Sequence, residues 1–115
     1  MKIGSIQLAN PTLLAPLAGI SNLPMRLLAK SAGCALVYTE MVSANGLVHA
    51  SAKTTQLLAS TPAERPLAVQ LFGGDAVLLA EAARQVVAAG ADIVDLNFGC
   101  AVKKILKSGS GVALM

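Results

Sequence analysis

Four short apolar runs, each followed by a longer segment, constrain this chain more than any other feature. They are "TLLA" (12–15), "ALVYTE" (35–40), "PLAVQLF" (66–72) and "DIVDLNF" (92–98). Each is the length of a strand. "LPMRLLAKSAG" follows the first with helical spacing and a stop at Gly33. "DAVLLAEAARQVVAAG" follows the third, with Asp75 placed as N-cap and Gly90 as the residue just past the helix. The second connection, 41–65, is longer and less regular. Short helices are expected around "SANGLVHAS" and "KTTQLLAS", with a loop at "TPAERP". Alternation at about 25–30 residues per unit points to parallel βαβ structure.

A complete (β/α)₈ barrel takes roughly 250 residues. This chain has 115. Four strands therefore read as the first half of such a barrel, the sequence breaking off where a fourth helix should begin. "MKIGSIQLANP" is expected to form a small hairpin across the barrel floor. The fold class is α/β, with 1–115 as one partial domain.

Composition narrows the class. Apolar residues make up 55% and the formal charge is +3, which permits an anionic partner without requiring one. No apolar run approaches the ~18 residues of a membrane span, and the amino terminus has no signal-peptide core. Two cysteines, Cys34 and Cys100, make no disulfide framework. The chain reads as cytoplasmic and reduced, with no membrane partner. A metal site is not expected, because His49 lies far from either cysteine and no paired ligand spacing occurs.

Side chains alternate across a strand. Leu67, Val69 and Leu71 therefore face one way, with Ala68 and Gln70 opposite. Val94 and Leu96 share a face, and Asp95 and Asn97 the other. Tyr38 pairs with Glu40. The helices require the apolar face, so Glu40, Gln70, Asp95 and Asn97 should point into the barrel. Leu14, Ala68 and Ile93 are placed on the same inward side. One buried polar residue can simply satisfy backbone. Several at the carboxyl ends of barrel strands point to a site, because chemistry in such barrels occupies that end. For Cys100, with metal binding set aside, packing, redox chemistry and proton delivery all stand at this stage. Cys34 reads as core packing. "KSGSG" (107–111) lacks the spacing of a phosphate loop, so Gly109 and Gly111 are read as shaping a turn.

Three linked stretches carry a resemblance: "LLAPLAGISNLPMRLLAKSAGCALVYTEMVSANGL", "RPLAVQLFGGD" and "GADIVDLNFGCAVKKILKSGSGVALM". In order and spacing they resemble the amino-terminal half of the bacterial tRNA-dihydrouridine synthases. The resemblance implies FMN on a (β/α)₈ barrel, NADPH as the reductant that recharges it, and uridine in tRNA as the substrate. It implies that Pro16, Leu17 and Ala18 of "APLAG" lie along the flavin, with Gly19 allowing close approach. Gln70 would bond the flavin's pyrimidine edge. "NFGC" (97–100) is similar to the family's N-x-G-C-P motif, which would set Asn97 on the uracil and make Cys100 the catalytic thiol. Glu40 would line the same pocket. Reduction of the 5,6 double bond needs a hydride at C6 and a proton at C5. A thiol, ordinarily titrating near 8.5, holds such a proton at neutral pH. For Lys103, Lys104 and Lys107, a solvated face and contact with tRNA phosphates both stand.

The chain departs from the motif at Ala101, where the family has proline. Alanine leaves the loop that aims the thiol less constrained. The family's flavin-phosphate loops and its helical tRNA-binding domain belong to later sequence. On this reading the 115-residue chain alone would be inactive, would hold FMN weakly and would self-associate through open barrel edges. Two other readings remain at this stage: a flavin barrel acting on a free pyrimidine such as dihydroorotate, and a non-catalytic half-barrel.

Overall fold

The computed structural model describes residues 1–115. The chain begins as a two-stranded antiparallel hairpin, β1 (Lys2–Ile3) and β2 (Ile6–Gln7). The units that follow are β3 (Leu13–Leu14), α1 (Leu23–Ser31), β4 (Leu36–Tyr38), β5 (Val42–Ser43), α2 (Ala44–Val48), α3 (Ala52–Gln56), β6 (Leu67–Phe72), α4 (Ala76–Ala88), β7 (Ile93–Leu96) and α5 (Lys103–Lys107). Single 3₁₀ turns cover Pro62–Glu64 and Gly111–Leu114. No helix is long and apolar enough to cross a membrane.

β3 pairs with β4, β4 with β6 and β6 with β7, all parallel. This is the order expected of the first four strands of a (β/α)₈ barrel. The barrel is not closed: β3, β7 and the short β5 each pair with a single neighbour. The second strand differs from expectation. It is interrupted at Thr39, and β5 takes up pairing with the far end of β6 through Val42↔Leu71 and Ser43↔Phe72. Thr39 explains the break. Its backbone N–H donates to Ala68 O at 2.9 Å, and its hydroxyl accepts the Gln70 N–H at 3.2 Å. A side chain there does the work of a ladder carbonyl.

The helix signals hold. Asn22 accepts the Met25 N–H to cap α1, and Asp75 accepts the Leu78 N–H to cap α4. Gly33 and Gly90 take positive φ just past those helices. The two faces of the sheet bury separate cores. Val37, Leu67, Val69 and Leu71 pack with Ala82 and Val86 of α4. On the other face, Leu36 and Ala68 pack with Leu8, Tyr38 and Ile93, and with Ile3 and Ile6 of the hairpin, which covers the barrel floor as expected. Leu14 corrects an expectation. It packs in the helix-side core rather than inward, because its register partner is Val37 and not Leu36.

Candidate active site at the carboxyl end of the sheet

The loop after β3 is held by its own bonds. Ser21, fully buried, accepts the Leu17 N–H at 2.9 Å and donates to Leu17 O at 3.1 Å. Gly19 turns with φ +73°, and its N–H donates to Glu40 Oε1. Arg26 donates to Ser21 O at 3.0 Å and forms a two-pronged pair with Glu64, with Nε to Oε2 at 2.6 Å and Nη2 to Oε1 at 3.1 Å. Both side chains of that pair are buried. Sequence reasoning missed Ser21, Arg26 and Glu64. Arg26 and Glu64 stand 38 positions apart, so no local pattern marks them.

Gln70, Asp95 and Asn97 come together as strand alternation requires. Gln70 and Asp95 are register partners on β6 and β7. Gln70 Nε2 donates to Asp95 Oδ2 at 2.6 Å, and Asn97 Nδ2 donates to Gln70 Oε1 at 3.0 Å. Asn97 Oδ1 then accepts the backbone N–H of Gly99 at 3.2 Å and of Cys100 at 3.0 Å. Tyr38 faces the same interior. Burial pushes its phenol above the ordinary value near 10, and the Asp95 charge adds to the shift.

Cys100 is a half-buried free thiol. It opens onto a cleft of about 510 Å³ with Ala18, Glu40 and Lys104 on its walls. Lys53 and Leu57, on and just after α3, close another side. Sequence reasoning did not single out Lys53. Pro16, Leu17, Gln70, Asn97 and Lys103 lie outside this lining. Gln70 sits buried below it, Leu17 is exposed on the rim loop, and Lys103 is exposed on α5. Cys34 instead packs on the helix-side core and donates to Leu36 O.

Ser108 and Gly109 carry the chain back past the loop after β6, where Gly74 lies against their carbonyls. Gly111 follows with φ +64°. A methyl group on Gly111 would stand 2.4 Å from Cys100 O, and Cys100 O itself accepts the Val112 N–H at 3.1 Å. The glycines of "KSGSG" thus shape the turn that backs the cysteine loop.

Residues 13–115 match the model of the family described as dihydrouridine synthase. The chain is 38% identical over 115 residues to tRNA-dihydrouridine synthase B of Pseudomonas aeruginosa, covering all of this chain and 35% of that protein. It is 41% identical over 116 aligned positions to the probable tRNA-dihydrouridine synthase 1 of Synechocystis, again over the whole chain and 32% of the relative. A probable tRNA-dihydrouridine synthase of Rhodobacter capsulatus is 40% identical, with 36% of its length covered. The chain spans about a third of the length of the curated relatives it matches.

Proposed function

The chain belongs to the dihydrouridine synthase family, and on that premise we propose that the protein carrying it reduces uridine in tRNA to 5,6-dihydrouridine, with FMN as cofactor, NADPH as reductant and Cys100 as the acid. The observation that carries this reading is the meeting of the Cys100 thiol, Glu40 and Ala18 on one cleft at the carboxyl end of a parallel sheet. Its volume is of the size that takes a planar ring.

The residues present fit a flavin. The backbone of Pro16, Leu17 and Ala18 lies at the mouth of the sheet, and Gly19 carries no Cβ to hold a ring away. An amide side chain offers two N–H donors and two lone pairs. Gln70 spends one of each on Asp95 and Asn97. One donor and one acceptor remain, the pair that the pyrimidine edge of a flavin requires. Bound and reduced, the flavin supplies hydride.

The rest falls to the chain. Cys100 holds a proton where C5 of the uracil would stand and transfers it as general acid. Asn97 fixes the loop that carries the thiol and keeps one side-chain N–H uncommitted, available to the base. Glu40 holds the rim loop through Gly19 and closes the cleft wall. Lys103, Lys104 and Lys53 contribute positive charge around the opening, suited to tRNA phosphates, and each phosphate contact steepens the salt dependence of binding. A tRNA substrate sets the reaction in the cytoplasm. The test is expression of the protein carrying this chain in a strain without its own synthases. Restored dihydrouridine in tRNA supports the reading, and tRNA left unmodified refutes it.

A further inference from the structure

We infer that Asp95 is a positioning residue for the Cys100 loop, acting through a one-directional relay of the Gln70 and Asn97 amides. Asp95 does not border the cleft, and no lysine, arginine or histidine pairs with it. Its side-chain hydrogen bond goes to Gln70 at 2.6 Å, and a bond to an ionised acceptor is stronger than one between neutral groups.

Donor and acceptor chemistry sets the direction of the relay. A carboxylate only accepts. Asp95 therefore draws the NH₂ of Gln70 toward itself, which turns Gln70 Oε1 toward Asn97. Asn97 must meet that oxygen with its own NH₂. Its Oδ1 is thereby aimed at the N–H groups of Gly99 and Cys100. Those backbone groups only donate, so the far end of the relay requires an acceptor as well. Both ends agree: a flip of Gln70 breaks two bonds and a flip of Asn97 breaks three. Gln70 and Asp95 stand on paired strands, whereas Gly99 and Cys100 stand on a loop. The relay thus imposes the rigidity of the sheet on the residue that carries the thiol. Replacing the carboxylate by an amide of the same shape removes the polarity, because an amide serves as donor or acceptor.

The consequence for catalysis rests on the proposed role of Cys100. The relay is read by amide exchange and not by turnover, so its failure and the failure of that role are separately visible. Residue-resolved hydrogen exchange is measured on the protein that carries this chain, unmodified and as Asp95→Asn, Asn97→Ala and the double variant. Asp95→Asn is expected to speed exchange at Gly99 and Cys100 about fivefold, the weight of one hydrogen bond, with the Leu71 and Val94 amides unchanged. The double variant should match Asn97→Ala alone. Unchanged exchange at 99 and 100 in Asp95→Asn, or effects that add in the double variant, would overturn the relay. A second reading needs no substitution. Nuclear Overhauser contacts in the unmodified chain should place the Gln70 side-chain NH₂ beside the Asp95 β protons, and the opposite amide orientation would contradict the inference.

Discussion

Glu40, two residues past the end of β4, accepts the backbone N–H of Gly19 on Oε1, tying together two loops whose bonded residues lie 21 positions apart. The bond is charge-assisted, and it holds the loop to which the flavin contacts are assigned. Glu40→Ala should raise hydrogen exchange at Gly19 about twentyfold, within the range for a lost hydrogen bond to a charged group. Glu40→Gln keeps an acceptor and should raise it less. Equal exchange in all three proteins would remove Glu40 from the loop's support.

Arg26 and Glu64 form the buried ion pair of the fold, with side-chain exposures of 3% and 0%. Removing one partner leaves the other charge buried and alone, which costs about 3–5 kcal/mol. Glu64→Gln is expected to lower unfolding free energy in urea by that order. It should also loosen the Ser21 turn, since Arg26 holds Ser21 O. A loss below about 1 kcal/mol would mean that the pair behaves as a solvated one.

Tyr38 is the only tyrosine in the chain, so its ionisation can be followed alone by phenolate absorbance. Burial first and Asp95 second raise its pKa above the ordinary value near 10. The folded state therefore keeps its proton where the unfolded state has lost it. Stability associated with Tyr38 is full below pH 10 and declines as pH rises from there through the folded pKa. Asp95→Asn should lower the midpoint yet leave it above that of the unfolded chain. A midpoint unchanged by Asp95→Asn would show that the carboxylate does not act on the phenol.

Gly111 and Ala101 bracket the cysteine loop and should respond in opposite ways. Gly111→Ala puts a methyl group 2.4 Å from Cys100 O at a positive φ, a strain of about 1–3 kcal/mol. The Ala101 N–H has no backbone partner, so proline there gives up no bond. Ala101→Pro should leave stability unchanged or raise it by up to about 1 kcal/mol through the unfolded state. Thermal unfolding of both variants checks the pair, and a stable Gly111→Ala would contradict the packing of the loop.

Much of this was legible in the residues, for identifiable reasons. Strand alternation brought Gln70, Asp95 and Asn97 to one side, because period-two geometry leaves no other choice once helices cover the apolar face. Asp75 and Gly90 marked α4 through local hydrogen bonding and φ. Leu14 was misplaced because adjacent leucines carry no alternation signal, and only pairing with Val37 settles its face. The break at Thr39 was hidden because a threonine reads as strand whether its hydroxyl or its carbonyl meets the neighbouring N–H. Lys53 could not be found from spacing, since α3 reaches the cleft only through the tertiary course of 44–58. Ser21 was invisible for a similar reason: its function is to bond a turn whose shape the sequence does not state.

The role proposed for Cys100 is to deliver the proton that completes uridine reduction. It is tested most directly by dihydrouridine content in tRNA from a strain lacking its own synthases, expressing the protein that carries this chain as unmodified, Cys100→Ala or Cys34→Ala. Flavin retention is read on the same preparations by absorbance. Cys100→Ala should fall to near background while keeping its flavin, and Cys34→Ala should stay close to the unmodified protein. Equal dihydrouridine in the two variants would contradict the account.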